Sequence, residues 1–194
     1  MAQLKMYRLA SAPFEELTLP EGYSFSLYKN EADGLAWVEC CKNGLVGDDA
    51  TFENFRGSIL EHGFCVPEKD CFFLDWHGKH IGTITAVYHP DRNVGEVHMV
   101  GLKAEWRGKG LGKYMNNVAV KRLLSDGVRY IYLTTDEWRK GAVKSYLSAG
   151  FLPVNYDEGM IERWEAVLAE YGIDECEMLD EEANHFCVLH KAAK

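Results

Sequence analysis

The chain has 194 residues, 47% of them hydrophobic and 18 of them glycine, enough apolar material for one proper core and a length at the upper end of a single domain. Its formal net charge of −9 argues against a broad nucleic-acid-binding face and against an anionic membrane as a standing partner, and leaves cationic small molecules open. The six cysteines, Cys40, Cys41, Cys65, Cys71, Cys176 and Cys187, share no tight repeated spacing and read as reduced thiols of a cytoplasmic protein rather than as staples or a zinc knuckle.

In chain order, the opening Met1–Met6 lacks the apolar run of a signal peptide, and no stretch reaches the length that spans a bilayer. Tyr23–Tyr28 alternates aromatic and polar residues after Pro20-Glu21-Gly22, which predicts a first strand. Glu31 to Cys41 reads as a helix ended by Asn43-Gly44, and Thr51 to His62 as a second, with Thr51 as its cap and Gly63 as its stop. Cys71–Trp76 and Ile81–Tyr88 flank His77-Gly78-Lys79, a hairpin pattern. His89-Pro90-Asp91-Arg92-Asn93 is loop chemistry, and Gly95 to Leu102 follows as a third apolar strand of this block.

From Leu111 to Leu124 apolar residues recur at helical spacing, closed by Asp126-Gly127. A strand at Tyr130–Thr134, a short helix from Ala142 to Ser148 stopped by Gly150, and a strand beginning at Phe151 continue the alternation. Met160 to Tyr171 reads as an amphipathic helix and His185–His190 as the last strand, with the acidic stretch Asp174 to Glu182 between them as a solvated loop. No repeat, low-complexity linker or composition break divides the chain, so one domain over 1–194 is expected.

The stretch that carries chemistry is Arg107-Gly108-Lys109-Gly110-Leu111-Gly112-Lys113, directly after one strand and opening one helix. Its three glycines let backbone approach a ligand, and the unpaired N–H groups of a helix's first turn form an anion site. Lys109, Lys113 and Arg107 add charge that complements a pyrophosphate. The glycine spacing fits neither a Walker A loop nor a dinucleotide fingerprint.

These residues resemble the GNAT superfamily of N-acetyltransferases, whose signature of Arg or Gln, two residues, Gly, one residue, and Gly or Ala is met by Arg107, Gly110 and Gly112. The resemblance implies an α+β, three-layer acyl-CoA N-acyltransferase fold with a central mixed, mostly antiparallel sheet flanked by helices. It also implies acetyl-CoA as co-substrate, its pyrophosphate held by the amides of Arg107, Gly108, Lys109, Gly110, Leu111, Gly112 and Lys113, and its pantetheine arm hydrogen-bonded by the main chain of Val100 and Leu102. A second likeness is Ala142-Val143-Lys144-Ser145-Tyr146-Leu147-Ser148-Ala149-Gly150-Phe151, which places Tyr146 near the thioester sulfur as the acid for the departing thiolate. A phenol with a pKa of about 10 suits a thiol of about 8 to 9. Where the family often has Asn, seven residues before that tyrosine, this chain has Arg139, a residue suited to a phosphate, a pantetheine carbonyl or plain solvent.

The amine must lose a proton, and the same resemblance points to Glu96, on the strand leading into the glycine turn, as its base. His98 shares that strand face by the two-residue period and is the alternative base or a partner; water is the third option. The expected function is acetyl transfer to a primary amine of a small molecule or peptide, with a non-catalytic acyl-CoA-binding module as the alternative. Asp75, His77 and His80 flank a hairpin turn where polar residues are ordinary, so no metal is predicted. Trp76, Trp106, Trp138 and Trp164 read as core or rim packing. No nucleic acid or membrane partner is expected, and edge pairing at the last strand leaves monomer and homodimer both open.

Overall fold

In the structure, a computed structural model that describes residues 2–42 and 44–192, the strands are β1 (Leu4–Leu9), β2 (Tyr23–Leu27), β3 (Cys71–Trp76), β4 (Lys79–His89), β5 (Val94–Leu102), β6 (Tyr130–Thr135), β7 (Leu152–Pro153), β8 (Glu175–Leu179) and β9 (His185–His190). The helices are α1 (Glu31–Cys41), α2 (Phe52–Phe55), α3 (Pro67–Asp70), α4 (Gly112–Leu124), α5 (Lys140–Ser148) and α6 (Met160–Tyr171). Asn43, assigned with Gly44 to the stop of the first helix, and Met1 lie outside the described residues. The chain forms two compact units: Pro13–Val128, and the rest. No helix among the described residues is long and apolar enough to cross a membrane.

Within Pro13–Val128, β2, β3, β4 and β5 pair antiparallel in that order. Helix α1 starts where the Asn30 side chain accepts from the Ala32 amide while Asp33 reaches back to the cap, a reciprocal capping box. It buries Trp37, Val38 and Cys41 with Phe55, Ile59, Cys71 and Phe73, all at most 3% exposed. Gly34 makes room for this core, because a Cβ there would stand 2.5 Å from the Phe52 ring. Helix α4 buries Met115, Ala119 and Leu123 of the apolar spacing Leu111, Met115, Val118, Ala119 and Leu123, but it turns Val120 and Asn116 inward and leaves Val118 only partly buried.

The helix expected from Thr51 to His62 is present from Phe52 to Leu60 but changes pitch midway. Thr51 does cap it, but α2 ends at Phe55 and Arg56–Leu60 widens into a π-helical turn, in which the Glu61 amide reaches back to the Arg56 carbonyl at 2.9 Å. The widened turn still buries Ile59 with Phe55. Such turns occur mostly as local insertions, frequently at functional sites.

In the other unit β1 lies between β6 and β7, antiparallel to both, and β8 pairs antiparallel with β9. Two expectations are corrected here. The first strand is β1, not the segment at Tyr23; it carries no two-residue alternation because Leu4, Met6, Tyr7 and even Arg8 are buried. The Arg8 guanidinium is satisfied by the carbonyls of Ala149, Leu9 and Ala12. The acidic stretch from Asp174 is not all loop either: Glu175–Leu179 forms β8, burying Met178 and Leu179 while Glu177 faces His185 on β9. All six cysteines are free, and burial pushes the Cys40 and Cys65 thiols up to about 12 and those of Cys71 and Cys176 up to about 11.

His80 ties α1 to the β3–β4 hairpin. Its Nδ1 lies 2.5 Å from Asp75 Oδ1 and its Nε2 3.1 Å from Asp33 Oδ1, and its ring stacks on Phe73. Burial works against ionisation of Asp33, but hydrogen bonds from His80 and from the Lys29 and Asn30 amides outweigh it and hold this carboxyl below the usual carboxylate range. Replacing His80 by Leu strands the buried Asp75 and is expected to lower the unfolding free energy in urea by about 2–3 kcal/mol; a loss under about 0.5 kcal/mol is the outcome against it. As pH falls, the unfolded chain protonates Asp33 first. Its stabilisation is therefore complete above about pH 4 and is lost as the pH drops through the lower native value, a dependence that Asp33→Ala should lack.

Candidate functional site

Strand β5 leads into a 3₁₀ turn at Ala104–Trp106, then a glycine-rich turn, then α4. Gly108 and Gly110 sit at φ +75° and +72°, a left-handed conformation that side chains rarely adopt, and a Cβ at either would meet nothing within 4 Å. The turn thus presents open backbone. Leu111, at the N-cap of α4, gives no side-chain cap, so the first-turn amides of this helix and its positive dipole end face outward, which is the arrangement that holds an anionic group. Lys109 and Lys113 extend over the rings of Trp106 and Tyr114, at 4.4 and 4.8 Å from their centroids.

Arg107 bonds to backbone. Its Nε donates to the Leu102 carbonyl at 2.9 Å and its Nη2 to the Lys42 carbonyl at 3.3 Å, so it joins the end of β5, the turn and the residue following α1. Immediately upstream β5 is bulged. Thr83 pairs with Gly101 and Thr85 with His98, so Met99 and Val100 together oppose Ile84, and Met99 takes φ +50°. Leu102 resumes the ladder opposite Gly82. Gly101 is obligatory for a separate reason: a Cβ there would lie 2.7 Å from the Cys40 carbonyl oxygen.

Glu96 and His98 do share a face of β5, and the structure gathers two more histidines on them. Glu96 Oε1 is 3.3 Å from His98 Nδ1, and Oε2 is 2.7 Å from His89 Nε2 and 3.9 Å from His62 Nε2. His98 Nε2 donates to the Ser58 carbonyl at 3.2 Å, in the π-helical turn. Phe64 packs on the His89 ring at 4.9 Å, and the His62 ring lies 5.2 Å from that of His98. Burial, then the neighbouring His98, push His62 below the usual histidine value. An ionised carboxylate accepts protons, and half-buried imidazoles around it hold, relay or oppose them.

His89 and His62 escaped the sequence analysis. The hairpin register, Val87 opposite Glu96, sets His89 diagonal to Glu96 on the same face, a signal readable from the turn at Asp91-Arg92. His62 had none, since its place depends on the π-helical turn.

In the other unit, Tyr146 lies on α5, 7% exposed, with its ring 6.0 Å from Phe151. Burial pushes its phenol up to about 12, opposed by Arg139, so it is protonated at any physiological pH. Arg139 directs Nε to Asp136 Oδ2 at 3.1 Å and stacks on the exposed Trp138 ring. Asp75 and His80 are brought together as described, whereas His77 turns aside in the hairpin with its ring against Trp76. Among the described residues no group of three or more His, Cys, Asp or Glu is arranged to hold a metal ion.

The model of the acetyltransferase (GNAT) family matches residues 33–151. A mycothiol acetyltransferase of Thermomonospora curvata is 30% identical over 155 residues, which cover 76% of this chain and 50% of that protein. The chain spans about half the length of the curated relatives it matches. Among solved structures, a GCN5-related N-acetyltransferase from Sphaerobacter thermophilus superposes with a TM-score of 0.63 at 20% identity, over 79% of this chain and 49% of that one. A diaminobutyrate acetyltransferase from Paenibacillus lautus, solved with its substrate L-2,4-diaminobutyric acid and coenzyme A, gives a TM-score of 0.51 at 19% identity, over 65% of this chain and 73% of that one. These likenesses establish the α+β fold that the glycine motif implied.

Because the Gly101 contact is backbone against backbone, neither side yields cheaply. Gly101→Ala is expected to cost about 2–3 kcal/mol and to speed amide exchange at the C-terminal end of β5; an unchanged melting curve would mean that α1 moves away freely.

Proposed function

Since the chain belongs to the acetyltransferase (GNAT) family, we propose that it transfers an acetyl group from acetyl-CoA to a primary amine of a small molecule or peptide. The observation that carries this reading is the open turn at Gly108 and Gly110 before the uncapped start of α4. It fits a pyrophosphate-bearing ligand, because backbone N–H groups and a helix N-terminus take phosphate where no Cβ stands in the way. Arg107 fixes the turn, Lys109 and Lys113 add charge, and the bulged main chain at Val100 and the strand end at Leu102 are the backbone assigned to the pantetheine arm.

Acetyl-CoA supplies an acetyl group activated as a thioester. The residues of this chain handle protons and position. An aliphatic amine reaches the protein largely as its ammonium and attacks only after losing a proton. Glu96 is the assigned acceptor, partly shielded from solvent and held by two imidazoles. As the new N–C bond forms and the C–S bond breaks, the departing thiolate needs a proton, and Tyr146 holds one that burial keeps in place. Arg139 is the cation that opposes this burial and stabilises the phenolate until Tyr146 is reprotonated. The acylated nitrogen loses its second proton to the phenolate, which restores Tyr146, and the net change is alkylammonium plus acetyl-CoA to acetamide, coenzyme A thiol and one proton that leaves through Glu96.

Calorimetric titration should show saturable binding of acetyl-CoA and none of ATP. Gly110→Glu, which sets a side chain and a like charge in the open turn, should abolish it; retained binding would misplace the coenzyme site. Tyr146→Phe should leave acetyl-CoA affinity within about twofold and lower thiol release by about 10²-fold or more, with an equal rate removing Tyr146 as the acid.

A further inference from the structure

Glu96 does not stand alone as a proton acceptor. The Ser58 carbonyl oxygen only accepts hydrogen bonds, so His98 Nε2, 3.2 Å away, carries a hydrogen. His98 Nδ1 then faces Glu96 Oε1 at 3.3 Å. With no proton there, a nitrogen lone pair confronts a carboxylate oxygen, which is repulsive; one proton between them turns the contact into a hydrogen bond. That single proton is written equally well as imidazolium facing carboxylate or as imidazole facing carboxylic acid. On the other side His89, buried against Phe64, holds Oε2 at 2.7 Å and fixes the plane of the carboxylate.

Two further titratable groups, His62 and Cys65, stand near Glu96. His62 Nε2, at 3.9 Å from Oε2, is beyond hydrogen-bond reach, and burial and His98 disfavour its charged form. The Cys65 thiol is pushed up to about 12 and stays neutral.

We propose that Glu96 and His98 share a single proton site and act as one acceptor for the amine's proton, with His89 as the positioning residue that aims the carboxylate. The proposal rests on the acetyl-transfer reading above and adds to it. The pair must be empty before the step. The ammonium N–H bond then breaks, its electron pair stays on nitrogen as the nucleophile, and the proton settles between Nδ1 and Oε1.

Nuclear magnetic resonance of the full chain, with labelled histidine nitrogens and glutamate carboxyl carbons, tests the pair without acetyl-CoA. His98 Nε2 should stay protonated at every pH, and the His98 Nδ1 and Glu96 carboxyl signals should move together with one common midpoint. Two separate midpoints, or a His98 carrying its neutral-state hydrogen on Nδ1, would overturn the proposal even if acetyl-CoA binds. Conversely, a common midpoint with no acetyl-CoA binding would leave the pair intact and remove the reaction assigned to it. His89→Leu removes a donor to the ionised carboxylate and should move the common midpoint to higher pH, while His89→Gln, which keeps a terminal amide donor, should restore most of it. An unmoved midpoint in His89→Leu would remove the positioning role. With an amine found by thiol release, Glu96→Gln, His98→Asn and the double variant should lose turnover by the same factor within about threefold; losses that multiply would mean two independent groups.

Discussion

In the Pro13–Val128 unit the last turn of α1 lies on β5 backbone against backbone at Gly101, where no side chain fits beneath the Cys40 carbonyl. Much of the candidate site follows from it. With α1 seated there, β5 carries its extra residue just upstream, at Met99 and Val100, and Arg107 reaches the Lys42 carbonyl beyond the end of α1 while holding Leu102. A helix end, a strand end and a glycine turn are thereby fixed by two hydrogen bonds and one missing methyl group. The open turn owes its shape to that scaffold. Flexible glycines alone would give an ensemble of turns, and the ordering cost would fall on ligand binding.

A second constraint works through electrostatics. Buried and part-buried carboxylates among the described residues of this unit meet donors: Asp33 and Asp75 share His80, Asp70 meets Arg122 and the Val66 amide, and Glu96 meets His89 and His98. The first two arrangements hold structure. The third sets one imidazole at each oxygen of a single carboxylate on the strand that leads into the glycine turn, an arrangement through which a proton can move while the geometry persists.

The fold was legible where local rules and burial agree. The cap at Thr51, the hairpin about His77-Gly78, and the helical spacing of Met115, Ala119 and Leu123 in α4 all obey short-range chemistry, and each stands where the sequence put it. β1 was illegible because a strand buried on both faces loses its alternation, and β8 because its glutamates point outward while Met178 and Leu179 enter a core that its sequence does not announce. At the site, the glycine turn comes from its spacing, Glu96 from the family resemblance and His98 from the two-residue period. His89 needed the register of a hairpin, and His62 needed a π-helical turn that no sequence pattern specifies. Side chains brought in by irregular backbone are the ones a linear reading omits.

The free cysteines have a practical bearing on testing the proposed reaction in solution. A thiol whose pKa stands near 12, as at Cys40 and Cys65, is ionised in only about one molecule in 100,000 at neutral pH. Disulfide reagents attack through the thiolate, so these side chains are nearly silent to them, and Cys41, Cys71 and Cys176 are also shifted upward by burial. Free coenzyme A, a small unshielded thiol, reacts at an ordinary rate. A chromogenic disulfide in the same cuvette would therefore register coenzyme A thiol against a protein background in which the part-exposed Cys187 counts for more than the thiols closed into the core.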